Sequence, residues 1–505
     1  MSGAKHSVIK GVAWVGVGRV VVALIGLVST VVLARLLAPE DFGLVAIAAA
    51  AAAIIGMLTD LPLSQALIQH DEPGDEHLHT IWTFGLIKGA VLLLLIGGSA
   101  PFIAAAYGDA RLLNLVLALA FTAALGTLQN PALAVFERGL VFWQAVMLDL
   151  ADKSAAFVAT VAVAFIYQSY WALVVGVLVA QVVRVAMSHV LKPYRPRLSL
   201  GKGKELLSFS IWLTLRSWIY ALNWRADPLI LGQFIRPGPL GLYTMADRLT
   251  SMSVGQVVGP VSQVLFPALS RFKKDLARLQ SAYLRMQGMS CILAFPIGAG
   301  FAILAQPVVL LVLGEKWLPA VPIIQVLALL AASLTIQLIS PLAMAVGETR
   351  ALFRLEVQLG LARLPLLVGG ILLGQVSGLG MLMGAVLGRA AAQAVMTIWS
   401  MYLVKRLSGL RLRDQFGSIG RPALASLVMV LAVGGALWLA GPLDTSLVGY
   451  GSLFALILWG GVVYAGTLFG LWLATGRKPG AEEEMLAMAL AGARRIKERR
   501  AVTLD

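Results

Sequence analysis

The sequence predicts an all-α polytopic membrane protein of about fourteen transmembrane helices, in two pseudo-symmetric lobes plus two C-terminal helices. Three observations lead there. Hydrophobic residues fill 59 % of the 505 positions, and mean hydropathy is +0.86. Only 13 % of residues are charged, about half the ~25 % of a soluble domain. The apolar residues also fall into runs of roughly 20, the length a helix needs to cross hydrocarbon.

Taken in order, the runs cover 8–35, 42–68, 80–106, 112–134, 142–166, 170–191, 208–235, 240–267, 284–313, 320–345, 355–375, 379–404, 421–440 and 447–474. None alternates in- and out-facing residues over strand length, which excludes a β-barrel. The first run follows Lys5 and Lys10, is too long for a signal-peptide core and lacks a small-residue cleavage site before Arg35, so it reads as an uncleaved helix. Prolines 228, 260, 267, 296, 341 and 365 punctuate spans or their ends, as hinges or as packing adjustments. Glycines 380, 384 and 388 recur every fourth residue and favour close helix packing.

The connections alternate in charge. With the N-terminus inside, the inner connections and tail carry 28 Lys and Arg and the outer connections four. The positive-inside rule then predicts that both termini are cytoplasmic. The net charge of +15 is thereby a topology signal and an attraction to anionic lipid, not a nucleic-acid footprint. Cys291 is the sole cysteine, so no internal disulfide exists. The loop HDEPGDEHLH, 70–79, reads as solvated and acidic rather than as a metal site. The tail from Ala481 runs from acidic to basic, which suits a short helix on the inner leaflet.

The stretch FSIWLTLRSWIYALNWRADPLILGQFIRPGPLGLYTMADRL, 209–249, is apolar enough to span yet holds Arg216, Arg225 and Asp227. Arg216, Tyr220, Asn223 and Asp227 share one helical face, Arg225 lies off it, and Pro228 predicts a kink just past the stripe. A copy lies 198 positions upstream: Trp14 matches Trp212, Leu24 Leu222, Leu33 Leu231, Pro39 Pro237, Gly43 Gly241 and Leu44 Leu242. Arg19 falls one place after the counterpart of Arg216. Such self-similarity marks repeat-built transporters with the site between the halves. The expected organisation is an N-terminal lobe at 1–205, a C-terminal lobe at 206–410, extra helices at 411–475 and a cytoplasmic tail at 476–505.

Eight cations lie within spans. Lys153 is four residues from Asp149 and can pair with it; Arg248 and Asp247 read as interfacial. Arg19, Lys88, Arg216, Arg363 and Arg389 remain without an obvious local partner. An ionised group in hydrocarbon costs about 2.5–3.5 kcal/mol on insertion scales, so such residues face protein or a wet path. Each alone could tie helices together; five together predict a cavity for an anion. Arginine suits phosphate because its fork forms two parallel charge-assisted bonds. No Ser/His/Asp set, no loop carboxylate pair and no Walker loop occurs, so a transporter without a cofactor is expected rather than an enzyme.

The motifs ARLLAPEDFG, LPLSQALIQ, ADPLILGQFIRPGPLGLYTMADRL and VGPVSQVLFPALSRF resemble the Wzx-like polysaccharide transporter branch of the multidrug/oligosaccharidyl-lipid/polysaccharide (MOP) flippase superfamily. The resemblance implies two six-helix lobes plus two extra spans, in the bacterial inner membrane. It implies flipping of an undecaprenyl-diphosphate-linked oligosaccharide to the periplasmic leaflet by alternating access. Arg19 and Arg216 best match the cations thought to hold the diphosphate. Asp227 falls on the family's Asp-x-x-Ile-Leu-Gly pattern, in proton movement or in orienting an arginine. Membrane lipids, and polymerase and chain-length proteins of the same pathway, are the candidate partners. A peptidoglycan lipid-precursor flippase, a MATE-like ion-coupled antiporter, and a membrane glycan polymerase or ligase are the alternatives.

Overall fold

The computed structural model describes residues 2–59, 74–133, 143–203, 218–219, 222–272, 274–441, 445–476 and 480–485. Every regular element among them is helical. Eleven described helices are long and apolar enough to cross a membrane. Their outward faces carry large apolar side chains, such as Leu94, Phe102, Trp438 and Leu447, each more than 70 % exposed. In water that surface would drive aggregation; against acyl chains it costs nothing. The chain divides into two compact units, 1–244 and 245–505.

The first unit contains α1 (Ser2–Leu36), α2 (Pro39–Leu58), α3 (Asp75–Tyr107), α4 (Arg111–Gly126), α5 (Trp143–Tyr167), α6 (Trp171–Leu191), α7 (Asp227–Phe234) and the opening of α8 (Pro237–Arg271). α1 packs on α5, α5 on α6, α3 on α4, and α4 on both α2 and α6. Residues 75–79, expected as solvated loop, instead form the first turn of α3. His77 is buried, its Nδ1 accepting from the Gly74 N–H at 3.3 Å, and His79 Nδ1 lies 2.6 Å from the Tyr194 hydroxyl. The expected Lys153–Asp149 pair is also replaced. Lys153 is exposed, while Arg184 of α6 reaches both Asp149 and the buried Asp152, at 2.5 and 2.6 Å. A guanidinium fork can serve two carboxylates at once, which a lysine one helical turn away does not match.

The sequence repeat is visible in the fold. Helix ends at Leu36 and Phe234, and helix starts at Pro39 and Pro237, keep the same 198-residue offset. Proline suits a first helical position, because its missing N–H would have no intrahelical acceptor there. The copies then meet reciprocally. A Cβ on Gly43 would strike the Pro237 carbonyl oxygen, and a Cβ on Gly241 the Pro39 carbonyl oxygen. The backbones touch where only hydrogen fits.

The second unit contains the rest of α8, α9 (Leu276–Ile303), α10 (Val321–Ser333), α11 (Thr349–Val376), α12 (Met381–Ser408), α13 (Leu412–Ala440) and α14 (Leu447–Ala474). Central α9 packs against α10 and α13. α11 and α12 form a tight hairpin: a Cβ on Gly384 would overlap the Gly370 carbonyl, and one on Gly388 the Leu366 carbonyl. The four-residue glycine spacing thus produces the close approach expected of it. Of the tail, residues 480–485 are described and dock on this bundle. Ala481 enters the core beside Met429 and Leu468, Glu482 pairs with Arg421 at 3.0 Å, and Glu484 pairs with Arg285 at 3.1 Å.

Substitution at the crossing tests its tightness. Gly43→Ala and Gly241→Ala should each lower stability by about 1–3 kcal/mol through overpacking. Gly238→Ala, whose Cβ meets nothing within 4 Å, should be near neutral; thermal unfolding of the purified protein measures the difference.

A pH test addresses the α3–α4 turn. Arg111 bonds Asp109 at 2.7 Å and Glu40 at 2.7 Å, and its guanidinium holds the Asp109 carboxyl below the ordinary carboxylate range. A depressed pKa stabilises the fold above the unfolded value of about 3.9, and that contribution disappears as pH falls through the lower folded value. Protection of the 107–112 amides relative to their intrinsic exchange should therefore fall in acid below about pH 4, and Asp109→Asn should remove that step.

Candidate functional site

The first candidate cluster is built where the helix fails before Pro228. Residues 222–225 are helical, Ala226 is not, and Asp227 starts α7 with Pro228 in its first turn. The break therefore precedes Asp227, whereas the sequence places the kink after it. Proline lacks the N–H that would bond the carbonyl four residues back and its ring clashes with that carbonyl, so the ladder fails on its N-terminal side. As a consequence Asp227 sits at the positive end of a new helix, where a carboxylate is favoured. It is 5 % exposed and accepts a hydrogen bond from the buried Tyr243 hydroxyl at 2.9 Å. Tyr107 of α3 donates to the Leu229 carbonyl at 2.7 Å and fixes α7 from the other side. Asn223 is buried and Arg225 exposed. Arg216 and Tyr220 lie outside the described residues.

The remaining predicted cations divide. Arg19 is exposed on α1 and forms no ion pair with any described residue. Lys88 is half-buried on α3 and Arg363 buried on α11; both engage other groups, which corrects their reading as unpartnered charges. Arg389 of α12 is corrected most clearly: it pairs with Asp247 of α8 at 2.7 Å. The sequence treats Asp247 as interfacial because 142 positions of chain hide a contact that only packing creates.

The second candidate cluster, in the second unit, was not foreseen. Between α10 and α11 the chain leaves helical geometry at Gln337 and Leu338. The freed Ile336 carbonyl accepts from the Gln287 amide at 2.9 Å, and the Gln287 carbonyl accepts from Ser418 at 2.8 Å. Breaks at membrane depth persist only where neighbours satisfy the backbone in this way. Gln337 itself donates to Thr397 of α12 at 2.7 Å. Thr397 belongs to a polar stripe on α12 with Arg389, Gln393 and Ser400, at helical spacing. The Gln393 Nε2, Gln337 Oε1 and Ser400 Oγ atoms are buried without a hydrogen-bond partner among the described residues. Buried unpaired polar atoms cost about 1–3 kcal/mol each on protein scales, so this face suits a polar ligand or water. The i, i+4, i+8, i+11 pattern at 389, 393, 397 and 400 was the available signal.

The family follows from a model for polysaccharide biosynthesis proteins, which matches residues 32–322. The chain belongs to that family. Among the family's curated relatives, it is 26 % identical to the lipopolysaccharide biosynthesis protein WzxC of Escherichia coli (strain K12), across 85 % of this chain and 88 % of WzxC. It is 25 % identical to the succinoglycan biosynthesis transport protein ExoT of Rhizobium meliloti (strain 1021), across 85 % and 86 %. The fold is similar to that of the lipid II flippase MurJ in an inward closed conformation, with a TM-score of 0.71, 16 % identity, and coverage of 91 % of this chain and 98 % of MurJ. It is also similar to an inward-facing multidrug resistance MATE transporter of the MOP superfamily, with a TM-score of 0.58, 15 % identity, and coverage of 78 % and 98 %. This member of the polysaccharide biosynthesis family therefore has a MOP-type transporter fold, as its motifs imply.

The Arg389–Asp247 pair predicts a measurable coupling. The pair is partly exposed, at 18 % and 38 %, so its loss should fall between the surface and buried limits, at about 1–3 kcal/mol. Asp247→Asn and Arg389→Gln should each destabilise, and the double variant should lose less than the sum. A double-mutant cycle from thermal unfolding reads the coupling.

Proposed function

We propose that this protein is a flippase that carries an undecaprenyl-diphosphate-linked oligosaccharide from the cytoplasmic to the periplasmic leaflet of the bacterial inner membrane. Both termini face the cytoplasm, and the lobes 1–205 and 206–410 alternate access, with polymerase and chain-length proteins of the same pathway as downstream partners. The observation that carries the reading is Arg19: an arginine at the N-terminal edge of the candidate span Gly18–Leu36, exposed, and without an ion-pair partner among the described residues. Such a charge is tolerated only beside water or an anion, and a diphosphate matches its fork. The polysaccharide-pathway names of WzxC and ExoT supply the cargo class. Arg216 and Lys88 join Arg19 in holding the diphosphate. Asp227, with Tyr220, Asn223 and Arg225 around it, couples transport to an ion or orients an arginine, and the Pro228 break serves as hinge. Gln337, Gln393 and Thr397 offer amide and hydroxyl groups to the sugars. The proposed step is translocation without bond cleavage.

A second reading, a peptidoglycan-precursor flippase, has the MurJ-like fold in its favour and shares the anionic headgroup. Reconstituted flipping of defined lipid-linked sugars separates the two. In that assay Arg19→Ala and Arg216→Ala should each slow flipping roughly ten- to hundredfold, the worth of one charge-assisted bond. Lysine at either position should recover only part. Full activity of both alanine variants at equal expression would overturn the assignment of the diphosphate site.

A further inference from the structure

A cleft of about 730 Å³ opens between the start of α11 and the end of α12. On α11 it is lined by Ala351, Arg354, Leu355 and Gln358, which share one helical face. On α12 the lining runs through Trp399, Tyr402, Lys405 and Arg406, again one face. Arg354, Lys405 and Arg406 are exposed and form no ion pair with any described residue. Three cations of one sign thus converge on one opening. Lys405 and Arg406 occupy the last turn of α12, where positive charge is favoured by the helix dipole but does not by itself select a ligand. The aromatic pair supplies the selection. Trp399 and Tyr402 are 37 % and 54 % exposed and sit one turn deeper than the cations. That is the layering of a membrane–water boundary, where amphipathic rings gather at headgroup level.

The cleft also has a continuation. One turn beyond Gln358, Leu361 is exposed on the same face of α11, and one turn before Tyr402, Ile398 is exposed on α12. A ligand anchored on the cations would lay any attached chains along that apolar strip. An inorganic anion would leave the strip and the rings unused, and a water-soluble glycan would be repelled by it. We propose that this cleft is a binding site for an anionic phospholipid, with its phosphate on Arg354, Lys405 and Arg406 and its acyl chains along Leu361 and Ile398. The site is separate from the charges assigned to cargo, and it requires membrane residence but no particular cargo. It would let the bound lipid brace the α11–α12 hairpin, whose glycine-lined contact already holds the two helices together.

Native mass spectrometry of the full chain, extracted with either phosphatidylglycerol or phosphatidylcholine present, tests this directly. The wild type should retain phosphatidylglycerol and not phosphatidylcholine. Arg354→Gln/Lys405→Gln/Arg406→Gln should weaken phosphatidylglycerol retention roughly hundredfold, the combined effect of three surface cations. Added inorganic phosphate should not displace the lipid. A second variant, Leu361→Ser/Ile398→Ser, leaves the charges in place and should shorten lipid residence without abolishing phosphate-dependent selectivity. Thermal unfolding in detergent without lipid should match wild type for both variants, so that a lost signal is not lost folding. Equal phosphatidylglycerol retention by wild type and the triple variant would overturn the site. So would displacement by inorganic phosphate alone. Because lipid retention is read without any flipping measurement, failure here leaves the cargo assignment standing, and failure of flipping leaves the lipid site standing.

Discussion

In hydrocarbon no water is available to receive a backbone group that leaves its helix, and this constraint governs every irregular feature of the fold. Where α1 gives way to α2, and α7 to α8, the interruption is made with a proline whose absent N–H needs no acceptor. At the first of these the freed Ala38 N–H is taken up by the Asp41 carboxylate at 2.9 Å. Where the chain breaks at 337–338, a wholly buried glutamine crosses from α9 to take the orphaned carbonyl. The breaks at 37–38 and 337–338 are thus each stabilised by a specific side chain.

The reciprocal contact of Gly43 and Gly241 with the opposing proline carbonyls adds a geometric consequence of sequence repetition. Two similar segments that pack on each other must meet at equivalent points on any two-fold axis relating them. At such a point like meets like, and only the smallest residue lets two backbones approach. The glycine and proline spacing is thus retained in both copies for a single reason, the contact itself. The α11–α12 hairpin uses glycine differently, within one unit and at four-residue spacing, to close a groove along most of two helices.

Much of this was legible beforehand because hydropathy and glycine or proline positions act locally. The helices at 381–408 and 447–474 fall close to their predicted runs. The repeat offset survives intact in the helix boundaries. Charge pairing was less legible. Local spacing pairs Asp149 with Lys153, yet Arg184 of α6 takes that carboxylate together with Asp152. Arg389 seemed unpartnered until Asp247, far away in sequence, came beside it. Local spacing rules consider partners three or four residues away, whereas a membrane bundle satisfies charges between helices. The polar face of α12 was overlooked for a related reason: glutamine, threonine and serine do not interrupt an apolar run as arginine does, though their helical spacing was present to be read.

That distinction sorts the charges in the spans by what they do. Asp152 and Arg184 are buried or half-buried and bonded to each other, and Arg184 also reaches Asp149. Removing Arg184 would leave the buried Asp152 uncompensated in a low-dielectric interior, which gives the pair a structural role whatever is transported. Arg389 is intermediate, since Asp247 remains partly exposed and a competing anion can reach the guanidinium. Arg19 is at the other extreme: its charge is exposed and no described carboxylate neutralises it. An exposed arginine of this kind adds little stability of its own, so its guanidinium stays available to solvent or to an anion.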